Sequence, residues 1–168
     1  MRIIFTFVLA ILISGLVQAQ QYTFSDITKI MAYNPGTVTN DYQVKNTSNY
    51  LPDTKWRQVQ VVVGSEFKDA NVVTNIEKIE AELGKGNGGI WEFGSFTAPE
   101  YLIGQFQITA ADGQQSVQEY TLNQYSNNVE LAMGSEKWSG YLYEIKPGVM
   151  LYAFGYSYFQ IGIIFKKM

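Results

Sequence analysis

The sequence predicts a mainly β protein: an antiparallel β-sandwich of about seven to nine strands with one packed α-helix, at about residues 72–83. Three observations predict it. Short apolar and aromatic runs recur along the chain, separated by Gly, Asn and Asp turn signals. One segment only, Val72 to Leu83, carries a confident helical stripe. The C-terminal run Trp138 to Phe165 is apolar or aromatic on both alternating faces from Val149 on, which is the pattern of strands covered on two sides.

The chain opens on an export signal. Met1-Arg2 is a short positive start, Ile3 to Val17 is apolar apart from Thr6, Ser14 and Gly15, and Val17-Gln18-Ala19 supplies the small residues of a cleavage site. Residues 1–19 read as a cleaved signal peptide and 20–168 as a single β-rich domain. The apolar run is short for a transmembrane helix of roughly 20 residues. Tyr22 and Phe24 suit an edge strand. Ile27, Ile30 and Met31 then fit a short helix capped at Ser25-Asp26, while Ile27, Lys29, Met31 and Tyr33 fit a strand; the two readings stay open. Asn34-Pro35-Gly36 is a turn. Residues 34–54 are rich in Asn, Thr, Ser and Asp and read as a surface loop, with a short strand at Asp41 to Lys45 and a glycosylation sequon at Asn46-Thr47-Ser48.

Lys55 to Val63 is a strand, with Val59, Val61 and Val63 on one face and Trp56, Gln58 and Gln60 on the other. The helix follows. Val72, Ile76, Ile79 and Leu83 form its stripe, Asn71 is the expected N-cap and Gly84 the stop. Gly84-Lys85-Gly86-Asn87-Gly88-Gly89 comes after a helix and before a strand, the reverse of a phosphate loop, and reads as a flexible connector. Strands are then expected at Ile90 to Phe96, Tyr101 to Ala110, Gln115 to Asn123, Val129 to Met133 and Trp138 to Ile145. Turns fall at Asp112-Gly113, Asn127-Asn128, Gly134-Ser135 and Pro147-Gly148, and a hairpin or bulge near Gly155-Tyr156-Ser157 divides the final run.

Composition removes whole classes of chemistry. The chain has no cysteine and no histidine. Disulfides, His-based catalytic triads and His or Cys metal sites are therefore excluded, and no cofactor or metal is expected. An exported domain of this size without disulfides suits a bacterial periplasm, cell envelope or medium. Beyond residue 19 there are 11 basic and 15 acidic residues, a net charge of −4, so nucleic acid is a poor partner. Membrane association after signal cleavage is not expected.

Carboxylates are the remaining acid–base groups, and Glu92, Glu100, Glu119, Glu130 and Glu144 fall in or beside predicted strands without a spacing that selects a pair. Asn40-Asp41 and Asp112-Gly113 do not match a calcium loop. Aromatics are the stronger lead. Trp91, Glu92 and Phe93, with Trp56 and Trp138, are the candidate ligand-binding residues: an indole stacks on a sugar ring while a carboxylate accepts from its hydroxyls. Against this stands the usual burial of tryptophan in cores. The expected function is a secreted or envelope-associated, non-catalytic β-sandwich binding protein whose aromatic patch takes a glycan, a protein or a surface ligand. A carboxylate-based glycan hydrolase and a small outer-membrane β-barrel are the alternatives.

Overall fold

A computed structural model describes residues 21–32 and 40–168. The expected signal peptide and the Asn34-Pro35-Gly36 turn lie outside the described residues. Eight antiparallel strands run in chain order around one closed sheet: β1 Thr54–Gly64, β2 Ile90–Ala98, β3 Ile103–Thr109, β4 Gln115–Asn123, β5 Asn128–Met133, β6 Glu136–Lys146, β7 Val149–Tyr156 and β8 Phe159–Lys167. The helices are α1 Phe24–Met31, α2 Thr47–Tyr50 and α3 Ala70–Gly84. The fold is mainly β, and the strand number agrees with expectation. The two-sheet sandwich is corrected to a barrel. Closure comes from β1 pairing with β8, from Trp56 opposite Lys167 to Gly64 opposite Gln160, which leaves the sheet no free edge.

The turns fall where Gly and Asn allow them. Gly113, Asn127, Gly134 and Gly148 all have positive φ, the region these residues tolerate best. The long C-terminal run folds back at Ser157, φ 56°, so that Tyr156 pairs with Phe159.

The first strand corrects the simple alternation. Its register against β8 shifts between Gln58 and Gln60. This bulge puts Trp56 and Gln58 inside before it and Val61 and Val63 inside after it, while Val59 and Val62 pack outward. The interior is filled by large side chains, among them Trp56, Trp91, Phe106, Tyr120 and Tyr152. A void of about 10 Å³ remains among Leu51, Trp91, Met150, Tyr152 and neighbouring residues. That is room for about one water.

β7 and β8 are apolar on both faces for a reason a sandwich did not supply. One face lines the barrel and the other lies under α1. Ile27 is fully buried and shares an outer cluster with Val62, Leu151, Ala153 and Ile164. Gly162 allows the approach: a Cβ there would meet Leu151 at 2.8 Å and Ile27 at 3.0 Å. The helical reading of this segment holds, but its cap is Thr23 in a capping box with Asp26, and the expected strand at Tyr22 and Phe24 is absent. Gln60 instead brackets Tyr22, donating to its carbonyl at 2.7 Å and accepting from its N–H at 2.9 Å.

Residues 40–53 are more than a surface loop. Gln43 bridges to Tyr143, and α2 delivers the buried Thr47 and Leu51 to the lower end of the barrel. The other end lies under α3. Its N-cap is Asp69, which accepts from Asn71 and Val72 N–H groups at 3.0 Å, rather than Asn71. The glycine-rich connector is fastened rather than loose. The buried Gln58 side chain donates to the Leu83 carbonyl at 3.0 Å, and its backbone bonds Gly88 and Gly89.

Candidate functional site

The α3 stripe of Val72, Ile76, Ile79 and Leu83 packs on the barrel interior at this upper mouth. Helix and strands do not meet everywhere. A cleft of about 250 Å³ remains between Ile79, Glu82 and Leu83 of α3 and the strand ends that carry Glu136, Trp138, Phe154, Tyr156 and Ile161. Its floor is apolar and aromatic. The Trp138 indole lies parallel to the Phe154 ring at 4.9 Å and 12°, and Phe154 stacks in turn on Tyr152 at 5.3 Å.

The cleft's aromatics are held from below and beside. The buried Tyr152 hydroxyl lies 2.6 Å from the Trp138 carbonyl and 3.1 Å from that of Val129. The Trp138 indole N–H donates to Glu136 Oε2 at 3.3 Å. Glu82 is paired with Lys85 at 2.5 Å, both largely exposed. The charged side chains among the cleft's described lining residues are two carboxylates, Glu82 and Glu136. Such a site offers a flat ring to stack on and oxygens that accept from hydroxyl or ammonium groups; an anion would meet Glu136, while Lys85 balances Glu82.

The barrel wall divides the residues singled out from sequence. Trp91 is buried inside, parallel to Phe106 at 5.5 Å and edge-on to Phe165 at 5.1 Å. Phe93 stacks on Phe106 at 5.1 Å in the same interior. Trp56 is buried at the lower end against Tyr50, and its indole N–H donates to Thr54 Oγ1 at 2.8 Å. Glu92 points the other way, to an exposed ion pair with Lys55 at 2.8 Å. Adjacent strand residues face opposite sides, and the unbroken register from Ile90 to Phe93 against β3 keeps Trp91 and Glu92 apart. Trp138, half-buried at the mouth, lines the cleft under α3.

Glu82 and Glu136, absent from the sequence candidates, are the carboxylates placed there. Glu82 adjoins the Leu83 end of the helical stripe, and Glu136 precedes Trp138 by two residues on one strand. Those two signals were present, but they converge only through the fold. Among the described residues, no cluster of three or more Asp or Glu side chains could hold a metal ion. No protein-family model matches the chain, and no curated protein matches it either.

Proposed function

We propose that this is an exported, non-catalytic binding protein that takes a neutral or amino-bearing glycan in the cleft between α3 and the barrel mouth. The observation that carries the reading is the Trp138–Phe154 stack opening beside Glu136 and Glu82. Stacking rewards the C–H face of a sugar ring, and the carboxylates accept from its hydroxyls or a protonated amine. The N-terminal apolar stretch with its small-residue site supports export to the periplasm or medium.

The outer wall supports a barrel that faces water. Glu92, Gln105, Glu119, Glu130, Lys137 and Ser139 stand along β2 to β6, with ion pairs Lys55–Glu92 and Lys137–Glu130 on the surface. A membrane-spanning barrel reverses this arrangement, with an apolar band outside and a polar lumen.

A glycan array probed with the chain lacking residues 1–19, followed by a reducing-sugar assay on each hit, tests the reading. Binding that Trp138→Ala abolishes, with no release of reducing ends, is expected. Steady release of reducing ends would make the protein a hydrolase, and an array without hits would remove the glycan reading.

A further inference from the structure

We propose that a second ring-sized subsite lies at the N-terminal end of α3, so that the protein takes an oligosaccharide chain along the helix; this rests on the glycan reading above. A separate cleft of about 370 Å³ opens there, lined by Phe67, Asp69, Asn71, Val72 and Tyr158. Phe67 is 63 % exposed and Tyr158 45 %, and their rings meet edge to face at 5.9 Å. The barrel is already filled by other aromatics, so the core does not require this pair.

The pair is held in place by a buried polar group. The Ser65 hydroxyl, 8 % exposed, donates to the Tyr158 carbonyl at 3.0 Å and accepts from the Phe67 N–H at 3.2 Å. One side chain therefore ties the segment before α3 to the β7–β8 turn and fixes both aromatic residues. The subsite has polar groups of its own. Asp69 spends Oδ1 on the helix cap, which leaves Oδ2 as an acceptor, and Asn71 is exposed.

The two clefts are separate but lie along the same elements. Tyr156 lines the first and Tyr158 the second, two residues apart on one hairpin. Val72 lines the second and Ile79 the first, on one face of α3. Seven residues of helix separate them by about 10 Å, farther than a single sugar ring reaches and within a short chain's length. The charged residues that line the clefts are carboxylates, Asp69 at one end and Glu82 and Glu136 at the other, with Lys85 paired to Glu82. Linking two ring contacts in one ligand raises affinity without any new kind of contact.

The test is calorimetry with two series, glucosamine oligomers and N-acetylglucosamine oligomers of one to six units, and with oligogalacturonate as the anionic control. Affinity is expected to rise by up to about tenfold between the short and long members of at least one series, which is what a stacked ring is worth. Phe67→Ala should remove the gain for the long oligomers and leave the monomer unchanged, with an unaltered melting midpoint because Phe67 is exposed. Tyr158→Ala should act the same way. Trp138→Ala should weaken every length. Trp138-dependent binding that gains nothing with length, or a gain that both Phe67→Ala and Tyr158→Ala leave intact, would overturn the second subsite alone. Failure of both series to bind, or tighter binding of oligogalacturonate, would overturn the first cleft's reading and this one with it.

Discussion

The hydroxyl of Tyr152, buried inside the barrel on β7, lies 2.6 Å from the main-chain carbonyl of Trp138 on β6. This bond links the packed core to the residue that floors the cleft. Tyr152→Phe keeps the ring and its stacking on Phe154 but strips the Trp138 carbonyl of its donor. A buried acceptor left unmatched costs about 1–3 kcal/mol. Chemical denaturation should show a loss of that size, with weaker ligand binding at Trp138. An unchanged midpoint would mean that the carbonyl finds another donor.

The same buried phenols predict how stability responds to alkali. Burial, with a smaller contribution from Asp53, pushes Tyr120 up to about 12. Burial, aided by Glu130, raises Tyr152 further, and burial raises Tyr143. The folded state therefore keeps these protons where the unfolded chain, with ordinary phenols near 10, has released them. The unfolded state binds fewer protons, so stability falls as pH rises above about 10 and keeps falling to about 12 and beyond. The slope is about 1.4 kcal/mol per pH unit for each phenol that stays protonated. Midpoints measured from pH 8 to 12 should be level at first and then drop steeply. Tyr120→Phe should shallow the drop.

Local pattern made the elements legible and left their closure hidden. Val149 to Phe165 announces two covered faces, and both are covered except at the turn from Gly155 to Tyr158. Yet the covers are a barrel lumen and α1, and a sandwich offers the same alternation. Closure rests on residues 56–64 meeting residues 160–167, about a hundred positions apart, and nothing in either strand names its partner. The bulge at Val59 is similarly silent. Three valines at alternate positions look like one face, but the extra residue sends Val59 outward and Val61 and Val63 inward. The cleft is the extreme case. Trp138 could be picked from composition, whereas Glu82 and Glu136 reach it from a helix and a strand end that meet only in the folded barrel.

The outer helix supplies a further test. Ile27 is fully buried against the outer face of β7 and β8, above Gly162 and beside Leu151 and Ile164. Ile27→Asp sets an unpaired charge into that contact and should undock α1. The barrel's own ladder is untouched, so the β signature in circular dichroism should persist. The uncovered strip of Val62, Leu151, Ala153 and Ile164 should bind a hydrophobic dye and drive self-association. A monomeric variant without dye binding would show that α1 stays docked by its remaining contacts.

The three tryptophans give the sharpest separation of core from site. Trp91 is 3 % exposed and Trp56 1 %, each enclosed by aromatic neighbours, whereas Trp138 is half-buried at the mouth. Trp91→Ala empties a volume that the rigid barrel cannot close by collapse, because every wall strand is hydrogen-bonded on both sides. It should cost about 3–5 kcal/mol. Trp138→Ala removes a ring that already meets solvent on one side and should cost clearly less. Fluorescence then assigns the ligand contact. Acrylamide should quench Trp138 before the other two, and a bound sugar should protect that accessible fraction alone. In Trp138→Phe the accessible fraction should disappear, together with any ligand-induced change. A ligand response that survives Trp138→Phe would move the contact away from the α3 cleft. Stability losses of equal size for Trp91→Ala and Trp138→Ala would mark Trp138 as one more core residue.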